Sequence, residues 1–489
     1  MLHATCAFLT QNKHFTREVH KGKQNAIFTL RCKVVLLLYT VRMTKYRTAP
    51  LATSSLPPGI PFIIGNEGAE RFSYYGMRAI LIVFMTQALM NAGGAPDIMT
   101  EDEAKGWFHL FVSAVYATPL IGALISDGVL GKYRTIITLS IIYCLGHFAL
   151  ALDHTRLGLA IGLGLIALGS GGIKPCVSAH VGDQFGATNQ HLLSRIFGWF
   201  YFSINMGAFA SMLATPWLLK QYGPSVAFAV PGILMLAATL VFWSGRHRFV
   251  HIPPAGMGFV REALSGSGLK VLARLCGIYV FVAVFWALFD QTGSSWVLQA
   301  EHMDRHIFGI EVLPSQIQAA NPLLVMVLIP VFSYAVYPAI HRIFPLNELR
   351  KISIGMFVTV VAFAISTWIQ MRIDAGFMPH IGWQLLAYVV LTCAEVMVSI
   401  TCLEFSYTQA PKTMKSFVMA FFMLSISAGN LFTSGVNFFI QNPDGSSKLA
   451  GADYFAFFTL LMLITAILFA IISRFYRGER YLQDESIAG

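Results

Sequence analysis

Long apolar runs separated by short polar segments dominate the pattern of the chain. A helix that crosses a bilayer needs about 20 mostly apolar residues, and the chain contains twelve such stretches. They lie at 60–88, 107–129, 135–152, 157–179, 197–219, 226–245, 274–298, 319–341, 352–371, 381–405, 416–440 and 454–475. The stretches are too long and too uniformly apolar for barrel strands. The pattern therefore predicts an all-α membrane protein with twelve transmembrane helices.

The placement of Lys and Arg predicts how these helices are oriented and divided. With a cytoplasmic N-terminus, the cytoplasmic side holds eighteen Lys or Arg of the body of the chain and the outer side holds six. Such a bias is typical of membrane proteins, so we expect both termini in the cytoplasm. The longest cytoplasmic connection, 246–273, has the composition of a linker. It predicts two six-helix bundles, 43–245 and 274–489, around a central cavity, which is the usual transporter plan.

The composition supports this class and excludes others. Of 489 residues, 56% are apolar and 12% are charged, and the mean hydropathy is +0.63. These values exclude a disordered chain and a nucleic-acid-binding domain, and they disfavour an ordinary soluble enzyme. The net charge of +10 is concentrated in residues 1–42, which hold seven Lys or Arg and one acid. We expect this basic N-terminal extension to be disordered or dispensable, with Met43 a more natural start.

Cysteine and histidine patterns carry no sign of metal or catalytic chemistry. The seven Cys form no CxxC pair and lie mostly in apolar runs, and the fourteen His are scattered without an HExxH motif. We therefore expect no disulfide framework, no bound metal and no enzymatic activity.

Ionisable residues inside the predicted spans are the main functional signal. Such groups are costly in a bilayer and mark functional sites by default. The first span carries Glu67, Glu70, Arg71 and Arg78, and at 100° per residue these four share one stripe with two tyrosines. Carboxylates beside an arginine suit proton transfer, because the arginine and the second acid act on protonation in opposite directions. An ion-paired stripe that only locks helices together is the structural alternative.

The estimated depths of the buried charges suggest two ion pairs that join the halves. Arg78 and Asp290 lie at similar outer levels, and Lys174 and Glu395 lie near or below the midplane. We therefore predict an outer pair, Arg78–Asp290, and an inner pair, Lys174–Glu395, that form alternately as two gates. Polar and aromatic residues of the spans complete a candidate pocket: Tyr116, Tyr201, Asn205, Trp286, Phe289, Asn321 and Ser399.

Several segments together resemble a known family. Residues 67–76, EGAERFSYYG, resemble the ExxERFxYYG signature of the proton-dependent oligopeptide transporter (POT/PTR) family of the major facilitator superfamily. The family's motifs in spans 4, 5, 7 and 10 are matched by GGIKP at 171–175 with GDQF at 182–185, FYFSINMG at 200–207, FWALFDQ at 285–291 and LEFSYTQAP at 403–411. The resemblance covers about residues 56–480 and implies the major facilitator fold and a proton-coupled symporter of di- and tripeptides.

The resemblance also implies roles for individual residues. The residues that it implies in proton coupling are Glu67, Glu70, Arg71 and Asp290. The gate pairs that it implies are again Arg78–Asp290 and Lys174–Glu395. The residues that it implies in substrate binding are Arg71, Tyr75, Arg78, Tyr116, Lys174, Tyr201, Asn205, Trp286, Phe289, Asn321, Glu395 and Ser399. The implied partners are small peptides, protons and the lipid bilayer, with no nucleic acid, no cofactor beyond the proton gradient, and a monomer in the cell membrane.

Two departures from the family pattern and three alternatives stay open. The chain has no room for the two extra helices of many bacterial members, and Ala394 and Cys402 stand where small glycines are frequent. The same fold could carry nitrate, a drug or another small solute. A membrane-embedded enzyme and a nutrient sensor that does not transport are the remaining alternatives.

Overall fold

The computed structural model describes residues 46–254, 256, 258–263, 265–409 and 415–476. The predicted N-terminal extension at 1–42 lies outside the described residues. The described part is almost entirely helical, and its one sheet is a hairpin of two short antiparallel strands. β1 (His306–Ile307) pairs with β2 (Ile310–Glu311) in the connection that follows the seventh span.

The first half of the chain forms six membrane-length helices. Helix α1 is Ile60–Gln87, α2 is Glu101–Leu130 with a π-helical last turn at Ser126–Leu130, α3 is Lys132–Leu152 and α4 is Arg156–Gly182. The stretch Leu193–Ser244 is helical on both sides of Gly223, where φ is 77°. Glycine tolerates this conformation with positive φ, and it separates two helices, α5 (193–222) and α6 (224–244).

The second half repeats the plan with more interruptions. Helix α7 is Gly266–Phe289, continued by the 3₁₀ turn Asp290–Gly293 and by Ser295–Glu301; α8 spans Pro314–Ile343; α9 is Glu348–Asp374. Helix α10 is Gly382–Glu395 with a π-helical turn, Val396–Ile400, before Thr401–Thr408; α11 is Lys415–Ile440; α12 is Ala452–Ile472. A short helix, Gly258–Ala263, lies in the predicted linker.

These helices confirm the predicted fold class. By length and composition, ten helical stretches of the described residues are apolar enough to cross a membrane. One of them, Gln190–His247, contains both α5 and α6. Helix α1 has 28 residues and is long enough to span as well, but it carries four charged side chains. The described part of the chain therefore holds all twelve predicted spans.

The start of α2 differs from the prediction. The apolar run begins at about residue 107, whereas the helix begins at Glu101. Thr100 is the cause, because its side-chain oxygen accepts a hydrogen bond from the backbone N–H of Glu103 at 3.2 Å and caps the helix. Three acidic residues in the first turn also suit the positive end of the helix dipole.

Buried apolar side chains form two large clusters with a cavity between them. The first lies mainly among α1–α6 and includes Tyr74, Phe108 and Phe228. The second lies mainly among α7–α12 and includes Phe285 and Trp296. Each half therefore has a hydrophobic interior of its own, and the polar side chains described below lie within or between them. The predicted bounds of the two bundles stay a proposal.

Candidate functional site

Three charged residues of α1 form one buried cluster. The guanidinium Nε of Arg71 lies 2.8 Å from Glu67 Oε1 and 3.3 Å from Glu70 Oε2. Both carboxylates are buried. The other oxygen of Glu70, Oε1, accepts a hydrogen bond from Ser170 Oγ of α4 at 2.7 Å. The i, i+4 spacing of Glu67 and Arg71 places them on one helix face, so the predicted stripe brings these groups together.

A second buried ion pair joins the two halves. Arg78 Nη2 of α1 donates to Asp290 Oδ1, at the end of α7, over 2.6 Å. Asn430 of α11 donates to the other oxygen of Asp290 at 2.7 Å, and the guanidinium of Arg78 lies over the Phe108 ring. The predicted contact between Arg78 and Asp290 is present, and its role as a gate stays a prediction.

A histidine on α2 extends this pair into a network. His109 Nδ1 lies 2.8 Å from the side-chain oxygen of Asn430, and its Nε2 lies 2.9 Å from Ser294 Oγ. Both ring nitrogens are therefore held by groups of the other half. Sequence reasoning missed His109 and Asn430. Their polar character in apolar helices was the available signal, but their proximity depends on how α2 and α11 pack.

Glu395 of α10 is buried and bonded within its own half. Its Oε2 accepts a hydrogen bond from Asn321 Nδ2 of α8 at 2.7 Å, and the same amide nitrogen lies 3.2 Å from Thr392 Oγ1. The π-helical turn Val396–Ile400 starts directly after Glu395. Such turns interrupt regular helices and are frequent at functional sites.

The predicted contact between Lys174 and Glu395 is absent from this conformation. The ammonium of Lys174 has no hydrogen-bond partner, although the residue is only 9% exposed. It lies 4.4 Å from the ring centre of Tyr74 and 4.2 Å from that of Tyr116. The aromatic faces attract the cation. They are its neighbours in this conformation, in place of the predicted carboxylate of Glu395. The two pairs are predicted to form alternately and the outer pair is formed here, so the inner pair stays a prediction.

A cavity of about 280 Å³ lies between the two halves. Ten of the twelve predicted substrate contacts line it: Tyr75, Arg78, Tyr116, Tyr201, Asn205, Trp286, Phe289, Asn321, Glu395 and Ser399. Arg71 and Lys174 are not part of its wall. Arg71 is turned towards Glu67 and Glu70, and Lys174 lies against aromatic rings.

The cavity wall also contains residues that the sequence did not single out. They include polar groups and apolar groups of both halves: Thr292, Gln318, Tyr388, Ile204, Ala208, Met212, Pro322, Val325, Val396, Ile400 and Leu403. Apolar residues facing a cavity and apolar residues facing lipid have the same sequence pattern. Only the rotation and tilt of each helix separate them.

Hydrogen bonds join the halves at one end of the molecule, the end towards which α1 runs. Gln87 Nε2 donates to Glu301 Oε1 at 2.9 Å, and Gln441 Nε2 donates to Thr100 Oγ1 at 3.0 Å. Ser434 Oγ donates to the Gly106 carbonyl at 2.8 Å. Together with the Arg78–Asp290 pair, these bonds hold the halves together at that end.

These features define a helical membrane protein of the transporter class, built from two six-helix halves around a cavity with buried charges. The family model described as PTR2, POT family, matches residues 133–265 and 260–454. The chain therefore belongs to the POT family.

Curated relatives and solved structures agree with this assignment. The chain is 37% identical over 365 residues to Peptide transporter family 1 of Drosophila melanogaster, which covers 65% of this chain and 48% of that protein. It is 36% identical over 399 residues to Solute carrier family 15 member 2 of Homo sapiens, which covers 71% of this chain and 54% of that protein. The chain thus spans about half the length of the curated relatives it matches.

The fold is similar to those of two solved POT transporters. The crystal structure of the POT family transporter PepTSo superposes with a TM-score of 0.79 at 37% identity, covering 86% of this chain and 99% of that one. An auto-inhibited POT family peptide transporter superposes with a TM-score of 0.78 at 36% identity, covering 88% of this chain and 99% of that one. The major facilitator type of fold is therefore confirmed.

Proposed function

We propose that this protein is a proton-coupled symporter that imports di- and tripeptides by alternating access. The observation that carries the proposal is the cavity, which has the cationic Arg78 of one half and the acidic Glu395 of the other in its wall. Membership of the POT family and the peptide-transporter names of the relatives support the same substrate class.

A short peptide fits the chemistry of this cavity. It is a zwitterion whose ends lie about 7–10 Å apart, at about 3.5 Å per residue. Glu395 supplies the anion for its amino terminus, and Asn321 holds that carboxylate in place. The cationic side is supplied by α1 and α4. Lys174 of α4 lies outside the cavity wall, with its ammonium 4.2 Å from the ring centre of Tyr116, which is part of the wall. Recognition of the two ends leaves the peptide side chains loosely specified, so we propose broad specificity.

The acidic residues of α1 supply the proton site. Glu67 and Glu70 share one guanidinium, that of Arg71. Protonation of one carboxylate leaves a single ion pair with Arg71 and changes the charge next to α4 by one unit. Lys174 stands on α4, so the proton and the peptide act on the same helix. Asp290 is a further candidate, because its protonation removes the charge that holds Arg78.

Alternating access then follows from exchange of charge partners. In the described conformation Arg78 is paired across the halves and Lys174 is not. We propose that release of the Arg78–Asp290 pair opens the outer side and that Lys174 and Glu395 then pair below the cavity. The bound peptide competes for both charges and loosens that inner pair.

The cellular setting belongs to the same proposal. We place the protein in the cell membrane, with the cytoplasm on the side that holds most Lys and Arg. The protein works as a monomer on a proton gradient, without another cofactor.

Uptake into proteoliposomes tests the proposal. The purified protein should accumulate labelled dialanine against its gradient when the outside is more acidic than the lumen, and a protonophore should abolish the accumulation. Labelled nitrate serves as the second substrate. Accumulation of nitrate without dialanine, or binding of dialanine without uptake, would contradict the proposal.

Two variants separate the proton from the peptide. Glu70→Gln should lose accumulation but still exchange external for internal dialanine, because exchange needs no net proton movement. Glu395→Gln should lose both activities, because it removes the anion for the amino terminus. Equal amounts of each variant in the membrane are the control.

A further inference from the structure

Ser170 of α4 is the group outside α1 that touches the carboxylate of Glu70. The residue is fully buried, and its Oγ donates to Glu70 Oε1 at 2.7 Å. The other oxygen of Glu70 faces Arg71 Nε at 3.3 Å. The two oxygens of one carboxylate are therefore held by two different helices.

Close packing on both sides fixes the direction in which Ser170 points. A Cβ atom at Gly169 would lie 2.6 Å from the Tyr143 Cβ of α3, and one at Gly171 would lie 2.3 Å from the Val115 carbonyl of α2. The two glycines let α4 lie directly against both neighbours. Rotation of α4 about its axis is blocked at this level, so the serine hydroxyl stays turned towards α1.

Three helices place titratable groups around Glu70. Those of α1 are Glu67, Arg71, Tyr74 and Tyr75, that of α3 is Tyr143, and that of α4 is Lys174. Tyr143 directs its hydroxyl to the backbone carbonyl of Glu70 at 3.5 Å, not to the carboxylate. Helix α5 packs along α1 with Ser203 and Gly207, which do not titrate. Among these neighbours, Ser170 is the neutral group with a hydrogen bond to the carboxylate itself, and a hydroxyl can both donate and accept.

A hydroxyl suits a group that gains and loses a proton. Towards a carboxylate the serine donates its hydrogen, which favours the charged form. Towards a protonated carboxyl the same oxygen accepts, while its own hydrogen turns to a carbonyl of the preceding helical turn. Glu70 keeps a partner in both states and avoids the penalty of a buried group without one.

We propose that Ser170 is a positioning residue for the proton site, which holds Glu70 on α4 in both protonation states and sets the pH at which the carboxylate takes up its proton. The inference rests on the proposed proton-coupled function. Ser170 lies one helical turn before Lys174 on the same helix. Its hydrogen bond therefore connects the protonation state of Glu70 to the helix that carries the cationic side of the peptide site.

The pH profile of dialanine uptake tests this role. Ser170→Ala removes a donor to the charged carboxylate, so the carboxyl is protonated more easily. The outer pH of half-maximal accumulation should rise by about one unit, from the strength of a hydrogen bond to a charged group. Exchange of external for internal dialanine should be unchanged. Ser170→Thr keeps the hydroxyl and should restore the half-maximal pH.

Ser73→Ala is the matched control. Ser73 is a buried serine of α1, one turn beyond Glu70, whose hydroxyl donates to the backbone carbonyls of Ala69 and Pro231. Its loss should leave the half-maximal pH unchanged. An unshifted profile in Ser170→Ala, or an equal shift in Ser73→Ala, would overturn the inference while wild-type accumulation still stands. Failure of the wild type to accumulate dialanine would instead refute the proposed function.

Discussion

At the residue scale, three buried charges have partners of different kinds. Asp290 has the guanidinium of Arg78, Glu395 has a neutral amide, and Lys174 has two aromatic faces. An amide or a ring compensates a charge less fully than an ion of opposite sign does. Glu395 and Lys174 are therefore the groups most ready to accept the charged ends of a substrate.

The Arg78–Asp290 pair should show a strong difference between losing one partner and losing both. Asp290→Asn leaves the guanidinium buried without its counter-charge, which costs about 3–5 kcal/mol for such pairs. The single variant should unfold several degrees below wild type in detergent, and the double variant Arg78→Leu with Asp290→Asn should recover part of that loss. If the loss in the double variant equals the sum of the losses in Asp290→Asn and in Arg78→Leu alone, the pair has no coupling energy.

The aromatic contact of Lys174 gives a second prediction at this scale. Tyr116→Phe keeps the ring over the ammonium, whereas Tyr116→Leu removes it. A cation–π contact of about 0.5–2 kcal/mol corresponds to a change of roughly 2- to 30-fold in an equilibrium constant. Dialanine affinity should change by that factor in Tyr116→Leu and stay near wild type in Tyr116→Phe. Equal affinities in the two variants would contradict the contact's role.

Sequence patterns identified the residue types of the site better than their contacts. The stripe on α1 follows from helical periodicity alone, and Glu67, Glu70 and Arg71 do meet. His109 and Ser170 were not predicted, because each depends on the distance between helices that are far apart in sequence. Periodicity fixes directions around one helix axis and contains no information on such distances.

At the element scale, spans are predictable and their irregularities are not. Twelve apolar stretches gave twelve helices, because only hydrogen-bonded helices bury such stretches in lipid. The π-helical turn after Glu395 adds a residue to one turn of α10 and leaves the apolar pattern of that stretch unbroken. The break at Gly223, by contrast, lies where the sequence predicts one, between the apolar runs 197–219 and 226–245.

Packing of α11 against α7 supplies a prediction at this scale. A Cβ atom at Gly429 would lie 2.1 Å from the Ala283 carbonyl, whereas one at Gly435 on the same helix would meet nothing within 4 Å. Gly429→Ala should push the helices apart and destabilise the fold by about 1–3 kcal/mol. Gly435→Ala should be neutral or slightly stabilising, because alanine favours helix. Thermal unfolding in detergent compares the two, and equal midpoints would contradict this packing.

For the whole molecule, the contacts between the halves at one end predict that a covalent link there stops transport. Gln87 and Glu301 form a hydrogen bond between the halves at that end. In a background without the seven native cysteines, a bis-methanethiosulfonate reagent about as long as the two lost side chains should cross-link Gln87→Cys with Glu301→Cys. The linked protein should lose dialanine uptake and regain it when the disulfides to the reagent are reduced. This end is the outer side in the proposed orientation, and the halves must separate there for that side to open.

A pair within one half is the matched control. Arg305 Nη2 and Glu311 Oε1 lie 2.7 Å apart in the connection between α7 and α8. Cross-linking Arg305→Cys with Glu311→Cys should leave uptake intact. If that link also stops uptake, the effect comes from rigidity of the connection and not from closure between the halves.

Proton movement driven by peptide alone tests the central claim most directly. Proteoliposomes are prepared with equal pH on both sides, a clamped membrane voltage and a pH dye in the lumen, and dialanine is then added outside. The account predicts that the lumen acidifies as the peptide enters with the wild-type protein, and that it stays at its starting pH with Glu70→Gln. Entry of dialanine through the wild-type protein without acidification of the lumen would contradict it.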